Sequence, residues 1–548
     1  MSRAGREGSA RSTAVRSLGR PGRAPISIGL LAGALCALLA GGCGGGSSTT
    51  RSVAEASTPD APNPAYRWLV ATDGSAPTIA AENQEPGTTS WRLPGPATLL
   101  GGEARGAVDG YVARQAIAAG EMQRIYVNAP GAQSVTLRVY RMGYYGGNGG
   151  RLVLETGAVP VSRQPPCRHR FTTGLTECRW HPTLSFPIPA ALPSGVYIVK
   201  LEASNGAQSD CIFVVRARPP APLLVELPTA TWEAYNSWGG DSLYAGTRRV
   251  AVTGTRQGVE VSYDRPYASQ TGAGQFFVRE VAMVRFLERY GYPLSYTTVD
   301  SIDAEPGQLA GARAVMDIGH SEYWSERAAH ALAAARDRGT NLIFISSDTM
   351  AWRVRFERAT VASSQHGEAA HRMTSYKEHA SLDPLDRAPS GLFPHGGADL
   401  VGSAYNGCIT PRLGGPGPPV YHYFAWTPAA SLKPDWLFAG TGVTAGTSIP
   451  GILGYELDQR TRATPRGSVV VGSGSGNCRP IGTSPTRGTI GESTLYTARS
   501  GAFVFATGTL GWEYGLEAVP QASPDVPSAP DPRVVAMTRN LLTRALGG

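Results

Sequence analysis

"ARAVMDIGHSEYWSERAAHALAAARDRGTNLIFISSD", residues 312–348, decides the fold. Its opening, "ARAVMDIG", is a short apolar run of strand length. From Ser325 onward, "SERAAHALAAARDRG" spaces its apolar residues as one face of a helix. Ser325 stands where an N-cap would, and Gly339 lies just past the end. "NLIFISSD", 341–348, is a second strand-length run. Strand, helix and strand in such close succession imply parallel strands joined by a helical crossover.

The same grammar continues on both sides. Upstream, "PLLVEL" (222–227) reads as a buried strand, and "FFVREVAMVRFLERYGY" (276–292) as a helix stopped by Gly291. "LSYTTVD" (294–300) returns as a strand. Downstream, "GAFVFATGTLGWEYGL" (501–516) and "DPRVVAMTRNLLTRAL" (531–546) supply a last strand and a terminal helix. Residues 222–548 are therefore expected to form a doubly wound α/β domain, although the Gly/Pro-rich stretch 360–500 has no clear periodicity. Before it, residues 105–217 alternate in short runs such as "SVTLRVYRM", "GVYIVKLEA" and "DCIFVVRA", which predict an antiparallel β-sandwich. The class is thus all-β plus α/β. Residues 66–104 form an extension with no assigned structure, and 43–65 a Ser/Thr/Pro-rich tether.

The first 42 residues read as a signal peptide of lipoprotein type: six Arg and one Glu between residues 3 and 23, the apolar run Ile26–Ala40, then Cys43 before a Gly/Ser tract. Cys43 is the expected lipidation site. The expected location is the cell envelope, with the protein anchored to a membrane by acyl chains; cleavage by an ordinary signal peptidase, giving a secreted protein, is the alternative. Removing that segment's net +5 from the formal +8 leaves about +3. No basic stripe interleaved with aromatics survives, so no nucleic-acid partner is expected. In an oxidising compartment Cys167 and Cys178 are expected to pair, as are Cys408 and Cys478, which leaves Cys211 as a buried thiol in a strand.

Ligands of open α/β sheets gather where strands end at their carboxyl side. Three such loops are rich in ionisable and aromatic groups: "PTATWEAYNSWGGDSLY" (228–244), "GHSEYW" (319–324) and "SSDTMAWRVRFE" (346–357). Their convergence would bring Tyr235, Tyr244, His320, Glu322 and Asp348 to one edge. No G-x-S-x-G elbow, P-loop or H-E-x-x-H is present, so metal-assisted chemistry gains by elimination.

"LRVYRMGYYGGNGGR", "PSGVYIVKL", "LPTATWEAYNSWGGDSLY", "GHSEYWS", "SSDTMAWRVRFE" and "VFATGTLGWEYGL" occur in order from about residue 137 to 516. In them the chain resembles the large (β) subunit of N,N-dimethylformamidase and its relatives. The resemblance implies an immunoglobulin-like β-sandwich followed by a flavodoxin-like or class I glutamine-amidotransferase-like domain. It further implies a hydrolase of non-peptide amide C–N bonds, with Fe3+ held by two tyrosines and one glutamate.

Carried onto this chain, the metal ligands are Glu322, Tyr197 and Tyr235, with Tyr244 as the rival second tyrosine. The adjoining catalytic groups are His320 and Asp348. Relatives usually have Asn where this chain has Asp348, and an aromatic where it has Ala351. An amide donates a hydrogen bond whereas an ionised carboxylate only accepts one, so both the substrate and the activity are open. Fe3+ prefers anionic oxygen donors, and two phenolates with one carboxylate would balance its charge. Two other readings compete: the same scaffold with a different metal and substrate, or a non-catalytic lipoprotein that binds carbohydrate or another envelope component. The expected partners are a small-molecule amide and the membrane. A homo-oligomer is compatible with the chain, and a signal peptide argues against assembly with a cytoplasmic small subunit.

Overall fold

Five apolar strands run parallel: Leu223–Leu227, Leu294–Thr298, Ala314–His320, Asn341–Ser347 and Phe503–Ala506. Numbered along the chain, their order in the sheet is 2-1-3-4-5. Successive side chains on a strand point to opposite faces, and both faces are covered here. Leu223, Val225, Met316 and Ile318 share a core with helices Val281–Arg289 and Pro532–Leu546. Leu224, Val315, Leu342 and Phe344 share another with helices Thr229–Tyr235, Val299–Ala304 and Glu326–Asp337.

The structure, a computed structural model, describes residues 63–94, 107–268, 271–358, 370–385, 390–407, 423–478, 486–518 and 526–547. These lie in one unit, Ala61–Gly548. The signal segment, Cys43, Cys408 and nearly all of the tether fall outside the described residues, as does the expected Cys408–Cys478 pair. Among the described residues no helix is long and apolar enough to cross a membrane.

The stretch without clear periodicity joins the same sheet. Thr486–Thr497, Val469–Cys478, Tyr423–Pro428 and Ile449–Gly454 extend it as antiparallel strands to nine in all. Gly472, Gly474 and Gly476 break the apolar alternation of one of these strands because Trp426, Leu453 and Phe424 occupy the space their side chains would need. The helix expected over 276–292 is two helices, Phe276–Arg279 and Val281–Arg289, which meet at Glu280. Ser325 caps its helix as expected, its hydroxyl accepting from the Ala328 amide at 3.1 Å.

A seven-stranded and a three-stranded sheet lie ahead of this sheet in the chain and share one apolar core. Pairing is antiparallel except where Ala116–Ala118 lies parallel to Gln208–Arg216. The extension is not separate from this sandwich: Tyr66–Trp68 pairs with Gly150–Thr156, and Trp91 is buried. Cys167 and Cys178 form a disulfide with Cα atoms 4.1 Å apart, and Cys211 is a free buried thiol.

Candidate metal centre

The sheet order reverses between the first strand and the third, so the connections leaving their carboxyl ends diverge and open a crevice. Helix Thr229–Tyr235 leaves the first strand and ends at Tyr235. The loop beyond is held from below by Arg265, which is fully buried. Its guanidinium pairs with Glu233 and donates to the carbonyls of Asn236, Trp238 and Asp241 at 2.8–3.0 Å. Leu243 then donates its amide to Ala234 O at 3.0 Å, which brings Tyr244 back beside Tyr235. The two rings stack with centroids 4.1 Å apart.

The third strand ends at His320. Gly319 just before it has φ +76°, and Glu280 Oε1 lies 2.3 Å from where a side chain would begin. Only glycine fits, and it turns "HSE" into the crevice. The amides of Met350 and Trp352 then bond the carbonyls of Ser321 and Glu322 at 3.1 and 2.9 Å, joining this loop to the one after the fourth strand. Trp324 is buried in the core of the α/β part and donates to Ser321 Oγ at 2.8 Å.

Glu322 is the centre of the site. Tyr235 donates its hydroxyl to Oε1 at 2.7 Å and Tyr244 donates to Oε2. His320 Nε2 hydrogen-bonds to Oε1 at 3.0 Å, while its Nδ1 faces Gln275 Oε1 at 3.3 Å. Glu456 Oε2 approaches the same Nε2 to 3.1 Å without an aligned donor. Asp348, at φ +55°, turns its carboxyl inward, and its Oδ1 also has no donor. His320, Glu322, Asp348 and Glu456 are all buried, and each offers a ligand atom within 4.8 Å of the others.

These neighbours set the charge states. Burial works against a charged imidazole, but Glu456 and Glu322 outweigh it and raise His320 to about 10. Burial likewise pushes Glu322 up, yet His320, Lys377 and the Tyr244 hydroxyl hold it down at about 2. Asp348 is pushed well above the carboxylate range by burial and then by Glu322, Glu456 and Asp458, which favours its protonated form. Burial, then Glu322, keeps Tyr235 and Tyr244 protonated.

Of the expected residues, Tyr235, Tyr244, His320, Glu322 and Asp348 come together. Tyr197 does not. Strand parity puts it on the sandwich's inner face, stacked on Phe213 with its hydroxyl donated to Pro193 O at 2.6 Å. Its neighbours Val196 and Ile198 are the ones that face the α/β core. Tyr235 and Tyr244 are therefore not rivals, since both contact Glu322.

Four participants are absent from the sequence reading. Glu456 and Gln275 lie in segments without clear periodicity or assigned function. Lys377 is buried with its ammonium 3.3 Å from the Tyr244 ring centroid and 5.0 Å from that of Trp352. Tyr455 faces the His320 ring at 6.4 Å. The one available signal was "GYELD", 454–458, an acidic pair following the apolar run "IPGIL", much as "HSE" follows "AVMDIG".

Buried carboxyl oxygens without donors, beside phenols and an imidazole, form a cradle that a hard cation fits. The arrangement defines an α/β protein with an acid, imidazole and phenol cluster at its switch point. The chain belongs to the N,N-dimethylformamidase beta subunit-like family, whose C-terminal sequence model matches residues 136–526. Among curated proteins none matches it.

Proposed function

We propose that the chain is an exported, metal-dependent hydrolase of a non-peptide amide C–N bond. In this reading its scaffold is the flavodoxin-like or glutamine-amidotransferase-like doubly wound fold, a reading that the 2-1-3-4-5 strand order supports. It works at the cell envelope, tethered through an acylated Cys43. The observation that carries the proposal is the convergence of Tyr235, Tyr244 and Glu322 beneath His320.

Tyr235, Tyr244 and Glu322 would hold a ferric ion, with the phenols giving up the protons they now donate to Glu322. Such an ion supplies Lewis acidity toward an amide oxygen and lowers the pKa of bound water. His320 is charged because two carboxylates support its proton. Glu322 engaged by an ion would support that proton less, leaving Glu456 as its main support, and Nε2 would then be the group that takes a proton from the attacking water and passes it to the departing amine. Gln275, at Nδ1, keeps the ring aimed. A protonated Asp348 would donate where relatives have an amide, and so orient the substrate oxygen. The buried rings of Tyr323 and Tyr455 exclude bulk water.

The His320, Glu322, Asp348 and Glu456 quartet favours a second reading, in which the same residues hold a divalent ion and act on another substrate. Metal analysis of the purified protein separates the two. Stoichiometric iron with a visible phenolate absorption band, both lost in Glu322→Gln, is the expected outcome. Stoichiometric zinc with no such band would favour the second reading, and absence of any bound metal would sink both.

A further inference from the structure

The ribbon closed by the Cys167–Cys178 disulfide carries a cleft of about 300 Å3 lined by Arg168, Arg170, Arg179 and Arg372, with Glu177, opposite Arg168 on the ribbon, as its one lining carboxylate. Two of these guanidiniums are already neutralised. Arg372 is bidentate to the buried Glu177 at 2.7 and 2.9 Å, and Arg170 pairs with the buried Glu260 at 2.9 Å. His169, between them, hydrogen-bonds to Thr176 Oγ1 at 3.0 Å and sets its Nε2 3.0 Å from Asp241 Oδ2. Arg168 and Arg179 are exposed and have no carboxylate partner among the described residues.

The loop 241–260 packs alongside, with the amides of Ala251 and Val259 bonded to the carbonyls of Phe171 and Thr173 at 3.0 and 2.9 Å. It adds Arg248, Arg249 and Arg256, all exposed, and Arg248 lies 5.1 Å over the half-exposed Phe171 ring. Every acid in the two segments, Glu177, Asp241 and Glu260, is buried. Like charges held side by side on a rigid ribbon repel each other, and a bound anion relieves that repulsion.

We propose that this cleft binds a phosphate group, presented either by a lipid headgroup or by a soluble phosphate ligand. The forks of Arg168 and Arg179 supply two uncompensated positive charges and paired N–H donors, which suit tetrahedral phosphate oxygens. The disulfide and the Glu177–Arg372 pair pre-organise the cleft, and Phe171 offers an apolar tip beside it. The site is separate from the metal centre, although Asp241, which holds His169, belongs to the loop that leads to Tyr244.

The test uses the full chain carrying Cys43→Ser, which removes any acyl anchor, and Glu322→Gln, which disables phosphate binding through a metal at Glu322. Inorganic phosphate is titrated by calorimetry. Vesicles of phosphatidylglycerol and of phosphatidylcholine are tested by co-sedimentation at low and high salt. Binding of either anionic probe, salt-sensitive and weakened about tenfold by Arg168→Gln with Arg179→Gln, is the expected result. The Lys/Lys variant, which keeps charge and loses the forks, should fall between. Vesicle binding that the Gln/Gln variant loses assigns a lipid source, and phosphate binding without vesicle binding assigns a soluble one. If neither anionic probe binds, if phosphatidylcholine binds equally well, or if the Gln/Gln variant binds like its parent, the proposal is overturned.

Discussion

At the scale of single residues, His320 and Glu322 hold each other in charged form inside a buried crevice. With metal chelated away, their titration sets a pH window for stability. His320 rises from 6.5 to about 10, so its contribution is complete below about pH 6.5 and is lost as pH climbs through 10. Glu322 falls from 4.5 to about 2, so its contribution is complete above pH 4.5 and is lost as pH drops through 2. Thermal melts of the chelated protein should therefore lose stability on the alkaline side of neutrality, and His320→Ala should abolish that limb. If wild type and variant keep a constant difference from pH 6 to 10, the pairing is not what stabilises the site. The His-x-Glu pair was legible because two reactive groups stood at a strand end. Glu456, Gln275 and Lys377 were not, because nothing local distinguishes them from other polar residues in loops.

At the scale of elements, the third strand's exit depends on Gly319. Gly319→Ala must adopt a left-handed backbone, at roughly 1–2 kcal/mol, and also displace the Glu280 carboxyl that packs against it. Gly339 is the control: its φ is +106° but nothing lies within 4 Å of a side chain there. In urea unfolding, Gly319→Ala should cost at least about 2 kcal/mol more than Gly339→Ala. Equal losses would show that the Glu280 contact contributes nothing. Periodicity found the helix over 326–337 and its cap, since both are local. It merged two helices that meet at Glu280, whose buried carboxyl accepts from the Trp232 indole and packs against Gly319.

At the scale of the whole molecule, sandwich and α/β sheet are bolted by one buried ion pair. Arg141, on strand Ser134–Met142, is bidentate to Glu288, on helix Val281–Arg289, at 2.8 and 3.0 Å, with neither side chain exposed. Tyr296 of the parallel sheet also donates to Glu288 at 3.1 Å. Removing one partner strands a charge in the interior, so Glu288→Gln should destabilise by roughly 3–5 kcal/mol in denaturant titration. Folded Glu288→Gln should leave the proposed metal binding at the level of the parent, because the pair lies outside the site. A loss under 1 kcal/mol would mean that water reaches Arg141, contrary to its burial.

By itself the sequence determined the parallel strands and helices of the α/β part outside 360–500, and the loops, rich in ionisable and aromatic residues, that meet at their carboxyl edge. Each is written in local spacing and in where strands stop. Only the tertiary structure decided which tyrosines join Glu322. Tyr197 has the expected residue type, but the parity of its strand turns it into the sandwich, and parity becomes an address only once the sheet has a partner on each face. Tyr244 reaches the site because Arg265 folds its loop back, and Glu456 arrives from an antiparallel extension far along the chain. Those placements depend on contacts between segments that sequence spacing does not encode.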